Sequence, residues 1–211
     1  MARKTKEEAQ ETRSAILDAT VRVFAAKGAA NSSLTDIARE AGVTRGAIYW
    51  HFTNKADLLN ALWDEVLKLY TPLARASEDP DEPDPLGKLQ VLYLSLFRAL
   101  VDDPRQRQLI RILFDQTSAG GDVDFIRIRH LQSLHQRNRS VRTVLRNAID
   151  HGQLPPDFDV RQGAVAVVSF VHGLIANWVL TPELINIEED APVLIASLVQ
   201  MLRTGLARPT S

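Results

Sequence analysis

Residues 33–55 read SLTDIAREAGVTRGAIYWHFTNK, and this stretch constrains the fold more than any other. Leu34, Ile37, Ala38 and Ala41 stand at i, i+3, i+4 and i+7 behind Ser33, a good helix cap, and Gly42 stops the run. Thr44 then caps a second, very short helix that ends near Phe52. On a helical wheel Ile48 and Phe52 share one face, which turns inward onto the preceding helices. Gly46 and Trp50 point the other way, with Arg45 and Tyr49 on one flank and Ala47 and His51 on the other. Two short helices around a tight glycine turn, the second with an acid-free outer face, form a helix-turn-helix. Taken singly, the spacing also suits a plain helical core, and His51 suits an ordinary surface histidine; their combination on one short helix points to DNA.

Each residue type has a use in a major groove. Arg45 reaches guanine edges with a forked donor, and Gly46 lets the backbone come close. Ala47 and Trp50 offer apolar contact to thymine methyls, while Tyr49 and His51 donate to phosphate oxygens. Lys55 lies at the start of the next helix, where free amides and the helix dipole favour an anion. The tail ARKTK reads either as a basic arm able to touch phosphate or the minor groove or as a solvated, disordered end. The whole chain carries a formal net charge of −1, but residues 1–55 hold nine Lys/Arg against six Asp/Glu, whereas residues 61–90 hold three against seven. A basic head precedes an acidic neck.

Helical periodicity runs through the rest of the 211 residues, with no strand pattern and no repeat. The first helix carries Ile16, Leu17, Thr20, Val23 and Phe24 and ends at Gly28. A fourth, opened by Asn54 and running to about residue 76, has Leu58, Leu59, Leu62, Val66, Leu69 and Leu73 on its inner stripe, with a kink expected at Pro72. SEDPDEPDP, residues 77–85, is a loop. Helices near 86–101, 104–117, 125–151, 160–181 and 188–206 follow. The fold class is therefore all-α: a helix-turn-helix domain over 1–55 and a larger helical ligand-binding and dimerisation domain over 56–211, about nine helices in all. There is no cysteine, hence no disulfide or thiolate metal site. The N-terminus lacks the apolar core of a secretory signal. No phosphate-cradling glycine loop, zinc-protease signature or nucleophile elbow is present, so no catalysis, cofactor or metal is expected.

SLTDIAREAGVTRGAIYWHFTNKADLL closely resembles the DNA-binding signature of the TetR family of bacterial transcriptional regulators. MARKTKEEAQETR, PLARASEDPDEPDPLGKL and GLIANWVLTPE resemble its AcrR/TtgR-like branch, the repressors of multidrug efflux operons. The resemblance implies a cytoplasmic, all-helical homodimer that binds double-stranded operator DNA through the third helix and releases it when a small hydrophobic effector binds. It carries DNA contact onto Thr44, Arg45, Gly46, Ala47, Tyr49, Trp50, His51 and Lys55. One departure is the run FDQTSAGGDVDF after the sixth helix, where that branch often has a His-Lys-Cys-Glu-Phe-like run, so the polar side of the pocket differs. The alternatives are a regulator of this family answering to a metabolite, and a helical small-molecule-binding protein that binds no DNA.

The eighth helix is apolar almost all round between Ala164 and Leu180. It approaches membrane-spanning length but reads as a buried helix, no membrane being expected as a partner. A second copy of the chain can cover it, with Ala164, Ala166, Gly173 and Ala176 allowing close approach and Leu198 contributing from the ninth helix. Ser169, His172 and Asn177 either bond within the protein or line an effector cavity walled by Leu92, Phe97, Ile110 and Phe114. The arginines of the seventh helix, Arg127 to Arg146, read as a solvated face, with Leu131, Leu134, Val141, Val144, Leu145 and Ile149 turned inward.

Overall fold

The caps visible in the sequence set the helix boundaries. The computed structural model describes residues 2–118 and 124–204, and among these it has nine α-helices and no strand. They are α1 (Ala2–Lys27), α2 (Leu34–Glu40), α3 (Arg45–His51), α4 (Lys55–Ser77), α5 (Pro85–Asp102), α6 (Pro104–Ser118), α7 (Asp124–Asp150), α8 (Val160–Leu180) and α9 (Ile187–Thr204). Gly28, Gly42 and Gly152 take positive φ of 76°, 67° and 71° where α1, α2 and α7 end, a conformation that costs glycine nothing. Asp84 and Asp159 cap α5 and α8 through the Gly87 and Gln162 amides. Residues 119–123, inside the run that departs from the AcrR/TtgR-like pattern, lie outside the described residues.

The helices pack as two compact units, Met1–Val66 with Arg105–Arg129, and Leu67–Pro104 with His130–Ser211. The first unit runs past residue 55 into α4 and takes in α6. The reason in the first unit is its core: Leu109 and Ile112 of α6 are buried with Ile16, Leu17, Phe24, Ile37, Ile48, Phe52, Leu58 and Leu62. Each such side chain contributes roughly 1.5–3 kcal/mol on leaving water. Arg105 of α6 adds a two-sided ion pair, 2.7 Å to Asp18 of α1 and 2.9 Å to Glu65 of α4. Thr20, fully buried in α1, returns its hydroxyl to the Ile16 carbonyl at 2.7 Å.

In the second unit α5 and α8 both pack on α9. Its core includes Leu86, Leu89, Leu100, Val141, Val144, Leu145, Val167, Ile195 and Leu202. The end of α7 pins the acidic loop. Asn147 Nδ2 donates to the Glu78 and Asp79 carbonyls at 3.2 and 3.1 Å, and the Leu86 amide donates to Gln153 Oε1 at 3.0 Å.

Three inward faces differ from expectation. In α4 the buried residues beyond Leu62 are Trp63, Tyr70, Ala74 and Ser77, while Leu73 is exposed. Spacing of four from Leu62 leads through Val66 to Tyr70 and Ala74, and the polar Tyr70 hid that stripe. In α7 Leu131 is exposed, and the inner stripe runs through Ser133, Ser140, Val141 and Val144. In α8 Ser169 and Asn177 are exposed, whereas Gly163, Ala164, Val167, Val171, Leu174, Ile175, Trp178 and Val179 are buried. Helix α4 remains continuous through Pro72.

Candidate nucleic-acid interface

Helix α3 has only seven residues, so its ends decide its geometry. Thr44 Oγ1 accepts from the Ala47 amide at 3.1 Å, and the Phe52 amide closes the last turn on the Ile48 carbonyl at 2.8 Å. Ile48 and Phe52 are 0% and 3% exposed and anchor the helix in the first unit's core. Helix α2 is held by a capping box in which the Asp36 amide donates to Ser33 Oγ at 3.1 Å and Asp36 Oδ2 accepts from the Ser33 amide at 3.1 Å. Lys27 and Arg22 of α1 pair with Asp36 and Glu40 of α2 at 3.0 and 2.7 Å. The turn between α2 and α3 closes through Val43 N–H to the Ala38 carbonyl at 3.0 Å.

The opposite face of α3 is bare. Trp50 is 73% exposed and Tyr49 48%; Arg45 and Gly46 are exposed, and Ala47 and His51 half-buried. The helix contains no carboxylate. Arg45 lies over the Tyr49 ring, 5.6 Å from its centre, and Trp50 and His51 meet edge to face at 4.5 Å. Such contacts between exposed groups are weak, about 0.5–1 kcal/mol, but they hold the side chains in a shared orientation. A Cβ on Gly46 would meet only Thr44 Oγ1, at 3.9 Å, so nothing inside the protein requires glycine there. The bare backbone is therefore open to close approach from outside. Partial burial and the neighbouring Arg13 charge push the His51 pKa down, leaving a neutral ring with one N–H to donate.

Lys55 is placed differently from the expectation. Its ammonium donates to the Ala29 carbonyl at 2.9 Å and to Ala30 at 3.4 Å, tying α4 to the loop after α1. The first turn of α4 is already capped: Asn54 Oδ1 accepts from the Asp57 amide, and Asp57 Oδ2 from the Thr53 amide, both at 2.9 Å. An acid thus occupies the place expected for an anion. Arg13, 5.1 Å over the Phe52 ring, escaped the sequence reading because its contact joins α1 to the end of α3.

This geometry defines a helix-turn-helix DNA-binding protein: a rigidly capped short helix, buried on one face, presenting rings and donors on the other. The chain belongs to the TetR family of bacterial regulatory proteins, whose N-terminal domain matches residues 16–62; residues 84–204 match the C-terminal region of the MAATS-type transcriptional repressors. It is 43% identical over 207 residues to the HTH-type transcriptional regulator TtgR of Pseudomonas putida, covering 98% of this chain and 99% of that one. Among solved structures, a complex of SmeT with triclosan superposes with a TM-score of 0.83 at 27% identity, over 90% of each chain. SmeT is the repressor of the Stenotrophomonas maltophilia multidrug efflux pump SmeDEF. NalD, the secondary repressor of the MexAB-OprM multidrug efflux pump in Pseudomonas aeruginosa, superposes at 0.78 with 29% identity, over 92% of this chain and 96% of that one. The chain is thus a DNA-binding transcriptional repressor of this family.

Ile110, buried, and Phe114, half-buried, belong to the first unit; Leu92 and Phe97, both 2% exposed, belong to the second. Phe97 lines a groove of about 720 Å³ with Val91, Leu94, Ile187 and Ala191. Ser169 and Asn177 face outward, so only His172 of the three polar α8 residues turns toward other side chains, its ring 5.3 Å from that of His130. Of the residues expected at a dimer contact, Ala164 and Leu198 are 0% and 3% exposed and have no surface left for a second copy. Ala166, Gly173 and Ala176 are half-buried and lie on the outward side of α8 with exposed Val165, Ser169 and Leu180. A Cβ on Gly173 would meet nothing within 4 Å.

Proposed function

We propose that this chain is a homodimeric repressor of a multidrug efflux operon, released from its operator by a small hydrophobic ligand. The observation that carries the reading is the outer face of α3, where Trp50 and Tyr49 stand in water beside Arg45 and a glycine that the fold does not need. Thr44, Arg45, Gly46, Ala47, Tyr49, Trp50 and His51 meet the major groove, and Lys55 positions the helix behind them. Residues 1–55 form the DNA-binding domain and the remainder the ligand-binding and dimerisation domain, α4 being shared by both.

Pairing through the outward faces of α8 and α9 places two reading helices on one side of the duplex. Val165, Ala166, Gly173, Ala176 and Leu180 offer an uncharged, small-residue strip on α8, and Val193, Ala196 and Ser197 extend it on α9. Successive major grooves lie about 34–36 Å apart on one face of DNA, so each half-site takes one copy. Control of efflux is supported by SmeT and NalD, both repressors of such pumps, and the drug-sized effector by the SmeT complex with triclosan. A ligand releases the operator by binding the DNA-competent and incompetent forms unequally, with couplings of about 1–3 kcal/mol. The protein acts in the cytoplasm, without a catalytic step.

The test is a gel-shift titration of the DNA upstream of the chain's own gene and its neighbours with wild type, Arg45→Ala and Tyr49→Phe. Both variants should weaken binding while leaving the melting temperature unchanged. Wild-type affinity in both would show that this face does not meet DNA.

A further inference from the structure

Helix α1 is longer than the core it packs on. Ile16, Leu17, Thr20 and Phe24 lie on one stripe of it and are all buried in the first unit. At about 100° per residue the same stripe continues towards the N-terminus through Arg13, Gln10 and Lys6. There the core has ended: Lys6 and Gln10 are exposed, and Ala9 and Arg13 half-buried. The acids of this stretch keep clear of the stripe. Glu7, Glu8 and Glu11 are turned about 120–160° away from Arg13. An inner stripe that outruns its core here becomes a row of hydrogen-bond donors with no carboxylate among them.

Arg13 brings that row to the end of α3. Its guanidinium lies 5.1 Å over the Phe52 ring, and the Phe52 and His51 rings are 6.3 Å apart. Arg13 is near enough to His51 for its charge to help depress the imidazole pKa. Among the described residues, neither Arg13 nor His51 makes a hydrogen bond or an ion pair, and neither do Lys6 and Gln10. Two donors from different helices are therefore held side by side with no acceptor from the protein. A forked guanidinium matches a phosphate, and a neutral imidazole donates to one through its N–H. The placement along α3 agrees. The N-terminal residues of a reading helix meet base edges, which is the Arg45 end, and His51 stands at the other end, towards the backbone.

We infer that the Lys6–Gln10–Arg13 stripe of α1 is a second DNA-contacting surface, a track for the phosphates of one strand that His51 continues onto α3. Arg13 and His51 take phosphate oxygens at the end of the reading helix. The Gln10 amide and the Lys6 ammonium follow about 5 and 10 Å further along α1. This rests on reading α3 as the groove helix and adds where the backbone beside that groove is held. Phosphate contacts carry no base information, so the track acts alike on operator and unrelated DNA.

The test is a titration of the full-length protein across a range of salt concentrations, on the DNA upstream of its own gene and on an unrelated duplex of the same length. Wild type, Lys6→Ala, Arg13→Met and the double variant are compared. Each phosphate neutralised adds about 0.9 to the slope of log affinity against log salt, and two copies make each contact twice. Each single variant should therefore lower the slope by about 2 and the double variant by about 4, leaving the ratio of the two affinities unchanged. Methionine keeps an apolar stem over Phe52, and melting curves report any packing lost; Lys6 is exposed, so Lys6→Ala carries no such effect. A wild-type slope in either single variant overturns the inference, and lower affinity at unchanged slope in Arg13→Met would make that arginine a brace for Phe52 alone. Arg45→Ala in the same titrations separates the two readings. If it weakens binding while the α1 variants behave as wild type, α3 stays in the groove and only the α1 track falls. If it too binds as wild type, both fall.

Discussion

Replacing Lys55 by methionine separates two roles that the sequence cannot tell apart. The ammonium donates to the Ala29 carbonyl at 2.9 Å and to Ala30 at a long 3.4 Å, and the first of these contacts is partly buried. A hydrogen bond from a charged donor contributes about 1.5–3 kcal/mol. Partial exposure and the entropy of the lysine chain put this one at the lower end, about 1.5 kcal/mol. For a chain of 211 residues, 1 kcal/mol shifts the melting temperature by about 2–4 °C, so Lys55→Met should melt roughly 3–6 °C lower without DNA. Methionine keeps the apolar stem, so lost packing adds little. A phosphate contact would show elsewhere. Each phosphate neutralised adds about 0.9 to the slope of log affinity against log salt, so losing one contact from each of two copies would lower that slope by about 2. With the ammonium committed to the loop, the slope should change by less than about 1. An unchanged melting temperature would refute the tie; a slope lower by about 2 would return Lys55 to the phosphates.

Two further outcomes follow from local geometry. Asp36 takes hydrogen bonds from Ser33 and an ion pair from Lys27, which hold its carboxyl well below the usual carboxylate range. Its folded value being depressed, the stability it confers is complete above the unfolded value of about 4 and drains away as the pH falls below that. Asp36→Asn should therefore flatten the melting temperature against pH between about 2 and 5 relative to wild type, and parallel curves would exclude the linkage. At Gly163 a Cβ would lie 2.5 Å from the Phe158 ring and 3.1 Å from Leu145, so Gly163→Ala should destabilise by about 1–3 kcal/mol in chemical denaturation. Gly173→Ala, with nothing within 4 Å, should raise the protomer's own stability by about 0.5–1 kcal/mol in the same assay, alanine being the better helix former.

The residues themselves carried much of this protein. Ser33, Gly42 and Thr44 mark the two short helices because capping and left-handed glycine turns are local matters, settled within three or four residues. The direction of the reading surface was equally legible: Ile48 and Phe52 lie four apart, and burying them turns Trp50 outward. Uncharged stretches on the eighth and ninth helices announced a face that the single chain leaves uncovered. Tertiary packing decided the rest. Lys55 sits at a helix start, and only the folded chain brings the Ala29 carbonyl, 26 residues earlier, within its reach. Ser169 and Asn177 interrupt an apolar run, yet a helix apolar on most sides gives no clue to which side its own chain covers. Arg137 looks like every other arginine of its helix until Tyr70, Tyr93 and His172 arrive from elsewhere in the fold. Periodicity assigns a side chain to a stripe; it does not say what the stripe will face, because that depends on groups distant along the chain.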